Sequence, residues 1–145
     1  MIIALSGYAQ SGKDTVADFL VEEHGFEKLG MNGIIRDACL ALNPIVHIET
    51  EYSCYTYADA LEEYGYEGAK EKMDDFRPFM QRLGTEFAEA IGHPEFWVKL
   101  LLEKCDPEKD YVMSSCRRWV EATEITKHGT PGMPYTNGYI VRVNR

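Results

Sequence analysis

The sequence predicts an α/β fold with a central, mostly parallel sheet. Short apolar stretches of strand type alternate along the chain with longer stretches whose apolar residues recur at helical spacing. The first strand-type stretch runs directly into a glycine-rich loop and then a helix, an order typical of a buried strand in a parallel sheet. The chain has 145 residues, enough for one core, and we expect a single domain over residues 1–145.

The elements of the first third follow from local pattern. Residues 2–6 are an apolar run suited to a central strand. From Lys13 the apolar residues switch to helical spacing, and Gly25 is expected to end that helix. Residues 26–29 predict a second short strand, and residues 34–42 predict a helix that ends before Pro44.

Residues 44–75 have a less regular pattern, with many acidic residues and five tyrosines. We expect a helix near residues 59–64 and a mobile flap around it. The tyrosines either stack on a nucleotide base or, as we favour, pack within the flap and along its rim. Five elements are expected afterwards: a helix over 76–91 with Pro78 in its first turn, a helix from Pro94 to Asp106, a strand over 111–113, a helix over 120–128 and, after a loop over 129–138, a strand over 139–143.

Composition and charge exclude several classes of function. The net charge of −9 argues against binding to a nucleic-acid backbone, which requires a basic surface. No apolar run approaches the roughly 18 residues of a membrane span, and the short apolar N-terminus does not resemble a signal peptide. We therefore expect a cytoplasmic protein, in the host cytoplasm if it is phage-encoded. The four cysteines form no CxxC pair and are expected to be buried free thiols.

The chemistry of the sequence is concentrated in the loop after the first strand. Residues 7–13 match G-x-x-x-x-G-K, in which glycines let successive N–H groups point at phosphate oxygens and the lysine reaches the β- and γ-phosphates. An ordinary glycine-rich turn is the alternative, and the strand before the loop and the helix after it argue against that. The predicted phosphate-binding residues are Gly7, Gln10, Ser11, Gly12, Lys13, Asp14 and Thr15.

The position after Lys13 departs from the common motif. Asp14 stands where a serine or threonine hydroxyl usually holds Mg²⁺, and Thr15 follows it. Either Asp14 or Thr15 must then hold the metal, directly or through water. A carboxylate beside phosphates also requires that the metal or an arginine offset its charge.

Residues 7–18, which contain Lys-Asp-Thr, resemble the loop of phage-type deoxynucleoside monophosphate kinases of the P-loop kinase superfamily. The resemblance covers nearly the whole chain in order, through residues 42–46, 65–70, 77–86, 96–98, 112–122 and 141–143. It implies a three-layer P-loop kinase fold and transfer of the γ-phosphoryl group of ATP to a deoxynucleoside 5′-monophosphate, with Mg²⁺. It also places residues 44–75 on the acceptor side.

Such a transfer needs arginines that neutralise both substrates' phosphates. Arg77 and Gln81 are four residues apart, so they project from one helical face and are suited to grip an acceptor together. Each arginine taken alone is as readily a surface residue, Arg82 and Glu86 suit a simple helix salt bridge, and Trp97 suits the core as well as a base pocket. The expected catalytic residues are Lys13, Arg77 and Arg117, and the expected acceptor-binding residues are Arg36, Arg77, Gln81, Arg82 and Trp97.

Three departures from the family pattern bear on activity. Ser115 replaces an acidic residue expected near the metal, and Glu89 replaces an arginine. The chain also ends at Arg145, where family members usually continue into a lid and a last strand. These differences favour, as an alternative, a noncatalytic nucleotide-binding module derived from such a kinase. A kinase acting on another small acceptor or on modified DNA bases is a further alternative, and the sequence leaves a homodimer open.

Overall fold

The structure is a computed structural model that describes residues 1–127 and 137–144. The strands are β1 (Ile2–Ser6), β2 (Glu27–Lys28), β3 (Ile45–Thr50), β4 (Ser53–Thr56), β5 (Tyr111–Met113) and β6 (Gly138–Arg142). The helices are α1 (Lys13–His24), α2 (Met31–Leu42), α3 (Tyr57–Lys72), α4 (Phe76–Gln81), α5 (Phe87–Ala90), α6 (Phe96–Glu103) and α7 (Trp119–Lys127). The chain divides into two compact units, and we describe each by itself. Unit 1 comprises Met1–Met31 and Glu95–Arg145, and unit 2 comprises Asn32–Pro94.

Unit 1 is built on a parallel four-stranded sheet with the order β2-β5-β1-β6. In the register, Ile3 lies beside Val112 on one side and Tyr139 on the other. Because all these strands run in the same direction, their carboxyl ends meet at one edge of the sheet, where the loop after β1 begins. The predicted α/β fold with a central parallel sheet is confirmed.

Helices cover both faces of this sheet. Ile2 and Ala4 point to one face, where they pack with apolar residues of α6 and α7. Leu5 packs on the opposite face with Ala17 of α1 and Val112 of β5. Because neighbouring residues of a strand point to opposite faces, β1 contributes to both cores, which explains its uninterrupted apolar sequence. The helix–sheet–helix arrangement is consistent with a three-layer P-loop kinase-like fold.

The predicted elements of unit 1 are largely confirmed. Helix α1 begins at Lys13 and ends at Gly25, whose φ of 71° is left-handed and whose N–H faces the carbonyls of Leu20 and Val21. Strand β2 covers only Glu27–Lys28 and is shorter than the strand predicted over residues 26–29. The predicted loop 129–138 lies outside the described residues except for its last two, and so do His128 of the helix predicted over 120–128 and Arg145.

Unit 2 contains an antiparallel hairpin, β3–β4, that we did not predict. Its first strand is rich in β-branched residues, as strands often are. The turn at Glu51 and Tyr52 lacks the Asn-Gly type of sequence by which a tight hairpin is usually recognised, so the region resembled an irregular flap. The structure gives residues 44–75 two strands and a helix, and the mobility of the flap stays a prediction.

Helix α3 is much longer than the helix predicted near residues 59–64. It begins with a capping box, in which the Thr56 hydroxyl and the Asp59 carboxylate each accept a hydrogen bond from the other residue's backbone N–H, at 3.3 and 3.0 Å. Gly65 interrupts it with φ 65° and ψ 178°, so the segment consists of two helical parts joined at a kink. Predicted helix 34–42 likewise starts earlier, at Met31.

The helix predicted over 76–91 is present with one irregularity. Helix α4 passes into a π-helical turn over Arg82–Glu86 and then into α5. A Cβ added at Gly84 would lie only 3.0 Å from Cδ1 of Ile35. The absence of a side chain at Gly84 therefore allows helix α2 to pack closely here. Gly92 follows with a φ of 75°. The apolar spacing predicts one buried stripe along this helix, and only its first part is confirmed: Phe76 and Leu83 are buried, whereas Phe87 and Ile91 are 40% and 43% exposed.

Three of the four cysteines are buried and all four are free thiols. Cys54 is the exception to the prediction of buried thiols, because it lies exposed on strand β4 of the hairpin that we did not predict. Among the described residues no helix is long and apolar enough to cross a membrane. The organisation of residues 1–145 as a single domain stays a prediction.

Candidate functional site

The loop after β1 is held in a strongly curved conformation. Gly7, Gln10 and Gly12 have positive φ values of 147°, 61° and 92°. The Ser11 N–H donates to the Tyr8 carbonyl at 3.2 Å and closes a tight turn in the middle of the loop. This curvature turns the loop back toward the start of α1, as a phosphate-binding loop requires.

Position 7 requires glycine for two reasons, which are its backbone conformation and the close approach of the end of β6. An added Cβ at Gly7 would lie 2.4 Å from the carbonyl oxygen of Val143, which is too close for two non-bonded atoms. Val143 follows β6 and donates its N–H to the Ser6 carbonyl at 2.8 Å. The end of β6 thus packs directly against the beginning of the loop.

Lys13 folds over the loop from the first turn of α1. Its Nζ donates to the carbonyl oxygens of Gly7 and Tyr8 at 3.0 and 2.6 Å, and to the Ser11 hydroxyl at 3.4 Å. The structure therefore places the ammonium group of the predicted lysine against the loop, where two backbone carbonyls and one hydroxyl accept its hydrogen bonds. These carbonyl partners are neutral, and a lysine forms stronger hydrogen bonds with an anionic oxygen.

The N-terminus of α1 opens onto the same loop. Its N-cap residue is Gly12, and no side chain caps the helix. The first N–H groups of the helix consequently lack a side-chain acceptor, which is the usual arrangement at an anion site. Asp14 and Thr15 lie exposed in this first turn. Mg²⁺ bound with a nucleotide needs only one or two protein oxygens besides phosphate and water, so these two residues fit such an ion.

The carboxyl end of β5 lies beside the loop within unit 1. The Cys116 N–H donates to the Leu5 carbonyl at 3.2 Å, which joins the segment after β5 to the end of β1. Ser115 is half-buried in this segment and Arg117 is exposed. Burial, and secondarily the charge of Glu121, raises the pKa of the Cys116 thiol to about 11, so this thiol is neutral at physiological pH.

Glu121 is a structural residue of this segment that sequence reasoning missed. It is only 4% exposed, and its Oε2 accepts the backbone N–H groups of Arg117 and Arg118 at 2.8 and 3.0 Å. The signal was available: a glutamate at the third position of a helix commonly reaches back to the N-cap N–H. Glu121 thereby fixes the backbone that carries Arg117.

The predicted acceptor residues of unit 2 occupy three neighbouring stretches of sequence. Arg36 is half-buried on α2, whereas Arg77 and Gln81 are exposed and one turn apart on α4, as their spacing predicts. Arg82 begins the π-helical turn and is exposed. In the described part of the chain the Arg82–Glu86 ion pair is not formed.

Trp97 lies in unit 1 and is 6% exposed on α6, with its ring edge-on to Phe96 at a centroid distance of 4.9 Å. The burial of Trp97 agrees with the alternative that this residue belongs to the core.

Residues 1–127 and 137–144 contain no group of three or more His, Cys, Asp and Glu side chains arranged to hold a metal. Nδ1 of His47 lies 3.4 Å from Oδ2 of Asp74 in unit 2.

Comparison with known proteins gives one partial similarity. The chain is 38% identical over 55 residues to a protein of Enterobacteria phage T4 named deoxynucleotide monophosphate kinase. The matched segment is 38% of this chain and 23% of that protein, so the similarity covers less than a quarter of the phage protein. No family profile matches the chain. The similarity relates the chain to nucleotide kinases and does not specify its reaction.

Proposed function

We propose that this protein transfers the γ-phosphoryl group of ATP to a deoxynucleoside 5′-monophosphate, giving the diphosphate. The observation that carries the proposal is Lys13, whose ammonium group lies over a curved glycine loop at the uncapped start of α1. The partial similarity to a phage deoxynucleotide monophosphate kinase supports it.

In this proposal unit 1 binds ATP. The N–H groups of the loop and of the first turn of α1 bind the β- and γ-phosphates, and Lys13 neutralises charge that moves toward the leaving oxygen. Asp14 and Thr15 would hold Mg²⁺, which would neutralise part of the phosphate charge. Arg117, whose backbone is fixed by Glu121, supplies a further cation near the loop. The phosphate-binding set is Gly7, Gln10, Ser11, Gly12, Lys13, Asp14 and Thr15.

Unit 2 provides the acceptor residues in the proposal. The monophosphate is bound by Arg36, Arg77, Gln81 and Arg82. Trp97 of unit 1 packs in the core and does not bind the base. The attacking oxygen belongs to a phosphate that is already anionic at neutral pH, so the reaction needs no general base. Positioning and charge neutralisation therefore suffice for catalysis.

The test is a coupled assay of diphosphate formation from ATP and each of the four common deoxynucleoside monophosphates with Mg²⁺. We expect turnover with at least one of them, and Lys13→Ala should lower kcat/KM by at least about 100-fold. Lys28→Ala is the matched control, because Lys28 pairs with Asp18 on the exposed surface of the same unit. Turnover that survives the loss of Lys13 would refute the mechanism.

A noncatalytic nucleotide-binding module is the second candidate. Ser115, at the carboxyl end of β5 beside the loop, supplies a hydroxyl where the resemblance leads us to expect a carboxylate near the metal. Calorimetry that detects ATP binding, combined with no diphosphate formation from any of the four acceptors, would establish this alternative. Restoration of turnover by Ser115→Asp would then identify the missing group.

A further inference from the structure

The loop after β1 lies between the carboxyl ends of two other strands, β5 and β6. An arginine is found at each of these ends, because Arg117 follows β5 and Arg142 is the last residue of β6. Both strands run parallel to β1, so both arginines lie at the edge of the sheet where the loop begins. Arg117 is already part of the proposed function, whereas Arg142 has no role in it.

The backbone around Arg142 is fixed against the start of the loop. In the register of β6 and β1, Arg142 is the partner of Ser6, the last residue of β1. The following residue, Val143, donates its N–H to the Ser6 carbonyl at 2.8 Å, and the Val143 carbonyl leaves no room for a Cβ at Gly7. The strand that supplies the loop therefore also determines the position from which the Arg142 side chain extends.

The Arg142 side chain reaches the second residue of the loop. Its guanidinium carbon lies 5.7 Å from the ring centroid of Tyr8, within the about 6 Å over which an aromatic ring attracts a cation. The Tyr8 ring is 76% exposed, and the Tyr8 carbonyl accepts a hydrogen bond from Lys13 Nζ at 2.6 Å. Tyr8 thus contacts two cations, Lys13 through its backbone and Arg142 through its ring.

The N–H donors of Arg142 are available to an anion. In the described part of the chain the Arg142 side chain is exposed, makes no hydrogen bond and forms no ion pair with a carboxylate. Attraction to an aromatic ring does not use up the forked N–H donors, whose geometry matches that of phosphate oxygens. The chain has a net charge of −9, so a triphosphate is bound only where cations are concentrated locally.

We propose that Arg142 binds the phosphate chain of the donor nucleotide and that Tyr8 is its positioning residue. Arg142 approaches the loop from the β6 side of β1, and Arg117 lies on the β5 side. A nucleoside triphosphate in the loop is then flanked by positive charge on both sides, in addition to Lys13. The inference rests on the proposed function and deepens it, because the triphosphate is the phosphoryl donor.

The test of Arg142 is calorimetric titration of the full chain with ATP and Mg²⁺. Arg142→Gln should weaken ATP binding about tenfold, because it removes a charged hydrogen-bond donor. The ATP affinity should also fall less steeply with added KCl in this variant, since salt screens one ionic contact fewer. A variant with no defect other than a displaced loop would keep the original salt dependence.

Lys109→Gln is the matched control. Lys109 precedes β5, so it lies at the opposite edge of the same sheet, where it pairs with Glu27. Its loss should leave the ATP affinity unchanged. If Arg142→Gln fails to fold, Arg142→Lys replaces it, and about threefold weaker binding is expected because lysine keeps the charge without the forked donors. Unchanged ATP affinity in the folded Arg142 variant would overturn the proposal.

A double-mutant cycle tests the positioning role of Tyr8. Tyr8→Leu should weaken ATP binding about threefold, because a contact of this length at an exposed site is weak, and Tyr8→Phe should bind like the original protein. In the Arg142→Gln background Tyr8→Leu should have no further effect, since Tyr8 then has no guanidinium group to position. An equal loss in both backgrounds would show that Tyr8 acts independently of Arg142.

These measurements separate the two proposals. ATP binding that depends on Arg142 in a protein without turnover would sustain the role of Arg142 and refute the kinase. Turnover with an ATP affinity that is indifferent to Arg142 would sustain the kinase and refute this role.

Discussion

Gly7 is the residue on which the loop depends most directly. Its φ of 147° is accessible to glycine and unfavourable for other residues, and the Val143 carbonyl lies where a Cβ would stand. The sequence motif identified this glycine as a phosphate-loop residue. It gave no indication that the residue is also packed against the end of β6, because that contact joins residues far apart in the chain.

Replacement of Gly7 by alanine should therefore destabilise the protein more than replacement of a glycine with free space around it. We expect Gly7→Ala to lower the free energy of unfolding by about 3 kcal/mol, from strain and overlap together. Gly25→Ala should cost about 1 to 2 kcal/mol, because Gly25 has a positive φ but no atom within 4 Å of an added Cβ. Urea denaturation measures both, and equal losses would contradict the close contact.

The four thiols differ in reactivity because of their environments. Burial raises the pKa of Cys39 and of Cys105 to about 11, as it does for Cys116. At pH 8 we expect one thiol per folded chain, that of the exposed Cys54, to react rapidly with a thiol reagent, and four to react in denaturant. Cys54→Ser should abolish the fast reaction. A second fast thiol would show that a buried position opens readily.

At the scale of elements, the start of α3 illustrates what local sequence can determine. Thr56 and Asp59 form a reciprocal cap, and this pair is recognisable in the sequence by its spacing. The hydrogen bond from the Thr56 hydroxyl, followed by that from the Thr56 N–H, lowers the pKa of Asp59 below its ordinary value. The cap is accordingly strongest when Asp59 is ionised.

Thr56→Ala should lower the free energy of unfolding by about 1 kcal/mol at neutral pH. Because the folded-state pKa of Asp59 is depressed, its contribution is complete above the ordinary value of about 3.9 and disappears as the pH falls through the folded-state value. The difference between Thr56→Ala and the original protein should therefore narrow below about pH 3.9. Chemical denaturation across pH measures this, with Glu62→Gln on the same helix as the control. A difference independent of pH would contradict the cap.

The β3–β4 hairpin and the π-helical turn could not be predicted, because no distinctive local sequence marks either of them. The β3–β4 hairpin is joined by Glu51 and Tyr52, which have no strong turn preference, so its pairing depends on tertiary contacts. The π-helical turn over Arg82–Glu86 keeps apolar spacing close enough to that of an α-helix to be indistinguishable in a periodic pattern. Strand β1 and helix α1 were predictable because burial, a loop motif and a terminal glycine all indicate the same boundaries.

For the whole molecule, the division into two units raises the question of cooperativity. Phe76 is fully buried in unit 2, and β1 forms the centre of the sheet in unit 1. A single domain, as we expect from the length of the chain, unfolds in one transition to which every buried residue contributes. Units that fold separately would instead unfold in separate transitions, so a substitution would destabilise only the unit that contains it.

Phe76→Leu provides the test, because it weakens the aromatic stack on Tyr57 while keeping an apolar side chain. We expect it to lower the free energy of unfolding by about 1 to 2 kcal/mol and to accelerate the slowest exchanging amides of both units by the same factor, about tenfold. Hydrogen exchange followed by mass spectrometry resolves α3 from β1. Acceleration confined to unit 2 would contradict the single domain.

The position of β1 at the centre of the sheet also determines when the protein can fold during synthesis. Ile2 pairs with Tyr111 and with Gly138, so its partners leave the ribosome only after roughly 100 more residues have been made. At about 5 to 20 residues per second, this apolar strand waits roughly 5 to 20 s for its first neighbour. Unit 2 is continuous in sequence over Asn32–Pro94 and emerges in full during that interval. The nascent chain thus holds an unpaired, strongly apolar strand for seconds, which makes β1 the strand of the parallel sheet most in need of a chaperone.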